Sequence, residues 1–220
     1  MTDIKIMVGG PETALPEDVY TAEQKDVIWI GVDHGAIRLL KEGITPAIAI
    51  GDFDSITAAE MDFLTEKVKD VRSFPSEKDD TDTELAIQLA LEEFSVDKIS
   101  VYGATAGRLD HLMSNLFFIF QPRFQQQASK IYLYDKLNSV SFYLSGEYNI
   151  TKEEDKKYIA FVCMTPVKKL TLKDVKYTLE EKDYDYPISL ASNEFRNHSA
   201  SFSFTEGLIA VIQSKDEKND

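Results

Sequence analysis

Four short apolar runs in the first half of the chain each end directly on a glycine, and this recurrence limits the fold more than any other feature. Ile4 to Val8 runs into Gly9, Val27 to Ile30 into Gly31, Ala47 to Ile50 into Gly51, and Ile99 to Tyr102 into Gly103. Apolar runs of this length between turn residues read as strands. Three segments between them read as helices: Ala36 to Glu42 closed by Gly43, Ala58 to Lys69, and Asp82 to Phe94. In the last of these, Leu85, Ala86, Leu89 and Ala90 recur at helical spacing. Strands alternating with helices predict an α/β domain in which a parallel sheet is wrapped by helices.

From about Lys130 the pattern changes. Ile131 to Tyr134, Val140 to Leu144, Tyr158 to Met164, Leu170 to Leu172 and Leu208 to Ile212 are closely spaced strand signals without helical periodicity. They predict a C-terminal β-sandwich of roughly 90 residues. The boundary is expected near Pro122 to Ser129, giving domains 1–127 and 128–220. The polar run Gln125-Gln126-Gln127 there reads equally as a linker or as an exposed helix end, and Lys215 to Asp220 read as a charged tail.

With 220 residues, 43% of them apolar, the chain can build real cores, and its net charge of −14 argues against nucleic acid and anionic membrane surfaces as partners. An acidic protein that binds an anionic substrate needs a metal ion or a local concentration of donors. The single cysteine, Cys163, sits within the apolar stretch Ala160 to Met164 and reads as core. The first residues hold no basic stretch leading into an apolar one, so a cytoplasmic location is expected.

In an open parallel sheet, ligands sit beyond the carboxyl ends of the strands, so the residues after each run carry the chemistry. Here they are Gly9-Gly10-Pro11, Gly31-Val32-Asp33, Gly51-Asp52-Phe53-Asp54-Ser55, and Gly103 through Gly107-Arg108-Leu109-Asp110-His111. In an extended segment Asp52 and Asp54 project to one side, as a pair suited to Mg²⁺. The same two residues read alternatively as turn formers and caps for the helix after Ser55. The acidic stretch Glu77-Lys78-Asp79-Asp80-Thr81-Asp82-Thr83-Glu84 is explained in part by Thr81 and Glu84, which have capping-box spacing. Three aspartates crowded beside a lysine nevertheless repel one another unless a cation neutralises them. Arg108, after a glycine-rich turn, suits phosphate oxygens, although no Gly-Lys-Ser/Thr ends the turn as in a Walker A loop. His111 reads as a proton shuttle or as a hydrogen-bonded structural residue.

Taken in order, these segments resemble the thiamine pyrophosphokinase family. The resemblance is carried by Gly31-Val32-Asp33-His34-Gly35-Ala36 through Gly51-Asp52-Phe53-Asp54-Ser55-Ile56, by Lys78 to Asp82, by Gly103 to His111, and more loosely by Ser192-Asn193-Glu194-Phe195 with Gly207-Leu208. It implies a Rossmann-like catalytic domain followed by a β-sandwich, in a homodimer with thiamine between the subunits. It also implies Mg²⁺ held by Asp52, Asp54, Asp79 and Asp82, with Asp54, Asp82 and Asp52 as the catalytic aspartates, Asp54 or Asp82 accepting the hydroxyl proton. ATP as co-substrate would meet Gly9, Gly10, Asp33, Lys78, Thr81, Gly107, Arg108 and Asp110, and thiamine would meet Ser192 and Asn193. Ala106 stands where many members carry glycine, and His34 where a small residue is common. The only tryptophan, Trp29, lies in an early strand rather than near the C-terminus. Two other readings of the acidic cluster are a Mg²⁺-dependent phosphohydrolase and a non-catalytic module that binds nucleotides or cations.

Overall fold

The computed structural model describes residues 2–21, 27–75, 77 and 79–217. The chain divides into two compact units, Met1–Phe124 with Lys130–Lys136, and Gln125–Ser129 with Leu137–Asp220. In the first unit β1 (Thr2–Met7), β2 (Val27–Val32), β3 (Ile48–Gly51), β4 (Val71–Ser73), β5 (Val96–Tyr102) and β6 (Ile131–Tyr134) lie in the order β6-β5-β1-β2-β3-β4. Every neighbouring pair is parallel. Parallel neighbours require crossovers long enough to carry the chain back along the sheet. Helices α1 (His34–Lys41), α2 (Ala58–Lys67) and α3 (Asp82–Glu93) supply three of them, while α4 (Leu109–Phe117) and α5 (Pro122–Gln125) lie between β5 and β6.

The central strands are apolar because the sheet buries them: Ile4, Ile6, Ile30, Ile99 and Val101 are all fully enclosed. Each such side chain contributes about 1.5–3 kcal/mol relative to leaving it in water. A second cluster packs Ala36, Ile37 and Leu40 of α1 and Leu64 of α2 against Ala49 and Phe53. Helices α2 and α3 both open on complete capping boxes, Thr57 with Glu60 and Thr81 with Glu84, so the expected cap at Thr81 is present. From β1 the chain proceeds outward through β2, β3 and β4, then returns to lay β5 on the other side of β1. The chain thus reverses its direction of travel across the sheet at β1 and β5, and ligands in open parallel sheets sit beyond the carboxyl ends of the strands at such a point.

Three features differ from the sequence pattern. The strand β4 is too short to show a period, α4 is a further helix whose Leu109, Leu112, Met113, Leu116 and Phe117 recur at helical spacing, and Asp110 and His111 fall in its first turn rather than in a loop. Ile131–Tyr134, which reads with the later strands, instead pairs in parallel with β5, Ile99 against Ile131 and Tyr102 against Tyr134. A parallel partner is chosen by nonlocal packing, which spacing along the chain does not report.

The second unit is rich in antiparallel strands. Two long ones, β7 (Asn138–Thr151) and β12 (Ser199–Ser214), pair along their length, with a register break between Phe204 and Leu208. On one side of that break β12 also pairs with β9 (Val167–Lys173), which pairs in turn with β10 (Leu179–Tyr184). On the other it pairs with β8 (Tyr158–Cys163), which carries β11 (Ile188–Glu194). The core of this unit packs Phe161, Phe202, Phe204, Leu170 and Ile209, with the Phe161 and Phe202 rings 5.2 Å apart. Cys163 is buried in the same core. Among the described residues no helix is long and apolar enough to cross a membrane.

Candidate active site

A cavity of about 840 Å³ opens at the carboxyl ends of β1, β2, β3 and β5, a volume in the usual range for small-ligand sites. Its wall after β1 is the turn Gly9-Gly10. A Cβ on Gly10 would stand 1.9 Å from the carbonyl oxygen of Gly103, so the turns after β1 and β5 touch backbone to backbone there. Arg38, in the last turn of α1, reaches under the first of these turns and donates from Nη2 to the Gly10 carbonyl at 2.8 Å and from Nη1 to the Val8 carbonyl at 3.2 Å. No sequence motif marks Arg38. Its role is visible only once α1 is folded back on β1.

The second wall joins the ends of β2 and β3. Asp33 adopts φ 48°, ψ −123°, a backbone geometry close to that of glycine in type II′ turns and costing a non-glycine residue about 1–3 kcal/mol. Its N–H donates to Ile50 O at 3.0 Å, and its Oδ1 accepts from the N–H of Phe53 at 3.2 Å. Gly51, at φ 154°, is required because any Cβ there would sit 1.7 Å from that Asp33 oxygen. Asp33 thus ties the β3 loop to β2.

In that loop Asp52 and Asp54 both line the cavity, but not through the extended segment expected. Phe53 lies at φ 57° with its ring buried against α1 and α2, and the backbone turns around it. The Asp54 N–H donates to Asp52 Oδ1 at 3.1 Å, the side-chain turn that was the alternative reading of this pair. The ring of Phe53 is an anchor that no aspartate pattern announces.

The third wall is the acidic loop before α3. Asp79, Asp80, Thr81 and Asp82 line the cavity, with Thr81 capping the helix. Lys78 lies outside the described residues. Asp80 has a partner that the sequence did not suggest. Arg123 meets it with both terminal nitrogens, Nη1 to Oδ2 at 2.9 Å and Nη2 to Oδ1 at 2.5 Å, and this holds the Asp80 carboxyl below the usual carboxylate range.

The fourth wall follows β5. Gly107, at φ 92°, and Arg108 line the cavity along with Ser114 and the buried Asn115, which donates from Nδ2 to Ala104 O at 2.8 Å. Asn115 was not foreseen, since a lone asparagine in an unrecognised helix gives no signal. Arg108 is largely exposed and forms a two-point pair with Asp110, Nε to Oδ1 at 3.1 Å and Nη2 to Oδ2 at 2.5 Å. The guanidinium pulls the Asp110 carboxyl down to about 2, aided by the His111 N–H. Asp110 does not itself line the cavity, whereas His34 and His111 do.

Ser192 and Asn193 belong to the second unit, on β11, where Ser192 has φ 60°. Asn193 is buried and its amide is engaged locally: Oδ1 accepts from the N–H groups of Tyr177 and Glu194, and Nδ2 donates to Tyr177 O. Neither residue is among those lining the cavity described above.

The cavity therefore gathers aspartates from three strand ends around backbone turns rich in N–H groups, with Arg108 at its rim. So acidic a wall favours a cation, and an anionic ligand would need one to enter. Among the described residues no group of three or more histidine, cysteine or acidic side chains is arranged to hold a metal ion. Mg²⁺ does not require one: it keeps several waters and binds through one or two carboxylates plus substrate phosphates. Asp52, Asp54, Asp79 and Asp82 offer oxygen donors of the type that chemistry uses, one or two at a time.

The chain matches known proteins along nearly its whole length. Residues 20–133 match the description "Thiamin pyrophosphokinase, catalytic domain", and residues 147–209 match "Thiamin pyrophosphokinase, vitamin B1 binding domain". The chain is similar to the thiamine pyrophosphokinase of Bacillus subtilis (strain 168), at 37% identity over 219 residues covering 98% of this chain and 100% of that protein. The structure of a thiamin pyrophosphokinase family protein from Enterococcus faecalis superposes with a TM-score of 0.92 at 43% identity, covering 99% of this chain and 100% of that one. A protein from Lactobacillus plantarum superposes with a TM-score of 0.89 at 47% identity, with the same coverage of 99% and 100%.

Proposed function

This chain belongs to the thiamin pyrophosphokinase family, and from that premise we propose that it transfers the terminal diphosphate of ATP to the hydroxyl of thiamine, giving thiamine diphosphate and AMP. The observation that carries the reading is that Asp52, Asp54, Asp79, Asp82, Arg108 and the Gly9-Gly10 turn share one cavity at the carboxyl ends of a parallel sheet. In the reaction the hydroxyl oxygen of thiamine attacks the β-phosphorus of ATP. The bond from that phosphorus to the oxygen bridging the α-phosphate breaks, and AMP leaves with the bridging oxygen. The hydroxyl proton passes to a carboxylate, for which Asp54 and Asp82 are the assigned candidates.

Positioning and electrostatics supply most of the rate in such transfers. Mg²⁺, held through Asp52, Asp54, Asp79 and Asp82, offsets the phosphate charge when bound. The backbone N–H groups of Gly9, Gly10 and Gly107, with Lys78 and the guanidinium of Arg108, are assigned to the phosphate oxygens. Thr81 contributes through the start of α3, and Asp33 through the loop it fastens. Asp110 acts by orienting Arg108, to which it is paired at two points.

The finer organisation follows the same reading. The first unit, with β6 counted in it, is taken as a Rossmann-like ATP-binding domain and the second as a β-sandwich supplying thiamine contacts, the chain passing between them from residue 125 to 137 rather than at a single boundary near 127. Ser192 would contact thiamine while Asn193 braces the backbone beside it. A homodimer with thiamine at the subunit interface is supported by the apolar stripe on and after α4, where Leu109 is 69%, Met113 39%, Phe117 50% and Phe120 36% exposed. A cytoplasmic setting suits ATP as co-substrate and an unpaired, buried thiol.

The test is to follow AMP and thiamine diphosphate from ATP and Mg²⁺, with and without thiamine, in wild type and in Asp52→Asn/Asp54→Asn. Both products should appear together, only with thiamine, and vanish in the variant. Phosphate release without thiamine would mark a hydrolase, and nucleotide binding without turnover a binding module.

A further inference from the structure

We infer that Arg123 is a positioning residue of this site, clamping the acidic loop at residues 79–82 so that Asp79 and Asp82 are presented to the cavity. Three aspartates fall within those four residues, and their mutual repulsion should splay the loop unless something opposes it. Arg123 supplies that opposition with a planar, two-point grip on Asp80. The guanidinium is fixed in turn. Its Nη1 donates to Gln88 Oε1 at 2.6 Å, its Nε donates to Gln121 Oε1 at 2.9 Å, and it lies over the buried ring of Phe124 with Cζ 4.6 Å from the centroid.

A second strut runs beside it. Gln121 donates from Nε2 to Glu84 Oε1 at 2.6 Å, and Glu84 Oε2 accepts the N–H of Thr81 at 2.7 Å to close the capping box. The segment 121–124 therefore holds the acidic loop at Asp80 and, through Glu84, at Thr81. Arg123 is not itself among the residues lining the cavity, which makes it a support for the ligating groups rather than one of them.

The inference rests on the proposed role of Asp79 and Asp82 at a metal-bound diphosphate. It is tested on the full chain with Arg123→Ala and Arg123→Lys by two measurements that need no turnover. The first is hydrogen exchange in peptides spanning residues 77–84. The second is Mn²⁺ binding, read by electron paramagnetic resonance in the presence of α,β-methylene-ATP. Arg123→Ala should speed exchange in that loop and weaken Mn²⁺ binding by about tenfold or more, the usual effect of losing an outer-shell support. Arg123→Lys, which keeps the charge but loses the planar grip, should recover part of the loss. Unchanged exchange and Mn²⁺ affinity in either folded variant would overturn the clamp. If wild type forms no thiamine diphosphate, the functional reading fails, while the exchange comparison still decides whether Arg123 holds the loop.

Discussion

The junction of Gly51 with Asp33 yields a prediction whose size follows from geometry. In Gly51→Ala the new methyl would stand 1.7 Å from Asp33 Oδ1 and 2.6 Å from its Cγ, so the carboxylate must swing away. That movement breaks the hydrogen bond from the Phe53 N–H, and a bond to a charged acceptor contributes about 1.5–3 kcal/mol. The alanine must also hold φ 154°, at a further cost of about 1–2 kcal/mol. Gly51→Ala should therefore cost about 2.5–5 kcal/mol. Asp33→Ala should lose the same hydrogen bond and place alanine in the strained φ 48° backbone that Asp33 occupies. In the double variant the hydrogen bond is lost only once and the methyl keeps only its 3.3 Å approach to the backbone nitrogen of residue 33. The double-mutant cycle should then show a coupling of about 1.5–3 kcal/mol in the less-than-additive direction.

The assay is thermal and urea unfolding of all four proteins, run beside kcat and KM for thiamine diphosphate formation. Since the bond fastens the loop that carries Asp52 and Asp54, activity should fall further than stability, with kcat reduced by about two orders of magnitude in each variant. Additive losses across the cycle would show that Gly51 and Asp33 do not share one interaction. A stability loss with unchanged kcat would show that the loop needs no tether from β2.

Three other outcomes are expected. Asp54→Asn should abolish turnover while circular dichroism and unfolding midpoint stay near wild type; near-normal activity would remove Asp54 from the catalytic set. The Asp110 carboxyl, held at about 2 by Arg108, contributes its share of stability in full above its unfolded value of about 3.9 and loses it as pH falls through about 2. Carbon-detected NMR should find it ionised down to about pH 3, and Arg108→Ala should return it toward about 3.9. Burial pushes the Cys163 thiol up to about 11, so a disulfide reagent at about pH 8 should label it only after unfolding.

The parts legible in the sequence are those where one physical demand acts on adjacent residues. An apolar run that must end on a tight turn leaves its mark as strand then glycine, and β1, β2, β3 and β5 were readable for that reason. Asp33, Asp52 and Asp54 stood out for the same reason, as polar residues where an apolar run stops, although that position alone does not separate a ligand from a turn former. Helix α4 carries helical spacing in Leu109, Leu112, Met113, Leu116 and Phe117, but its N-cap Arg108 makes no side-chain capping bond to mark a start, and Leu109, Met113 and Phe117 are exposed, so its stripe does not face the core as the period alone would suggest. Strand β10 was hidden for the opposite reason: its sequence LEEKDY is exposed along most of its length and has no alternation to detect. Arg38 and Arg123 were out of reach because each acts on residues about 30 to 43 positions away, a distance set by the fold alone.

The sequence left Asp52 and Asp54 poised between two readings, a metal pair or a mere turn, and the geometry shows why that was a false choice. The hydrogen bond from the Asp54 N–H to Asp52 Oδ1 is the turn chemistry of the modest reading. A carboxylate offers about four acceptor positions, so taking one backbone N–H does not remove it from a metal or phosphate site. What the bond does is fix the direction of the Asp52 side chain before any ligand arrives, as Asp33 and the buried ring of Phe53 fix the backbone that carries it. Groups held in place beforehand need no reorganisation when charge develops, and that is the larger part of electrostatic catalysis. The local turn is therefore one of the means by which the loop presents its acids, and a variant that preserves the carboxylates but loosens the turn should lose activity while keeping every charge.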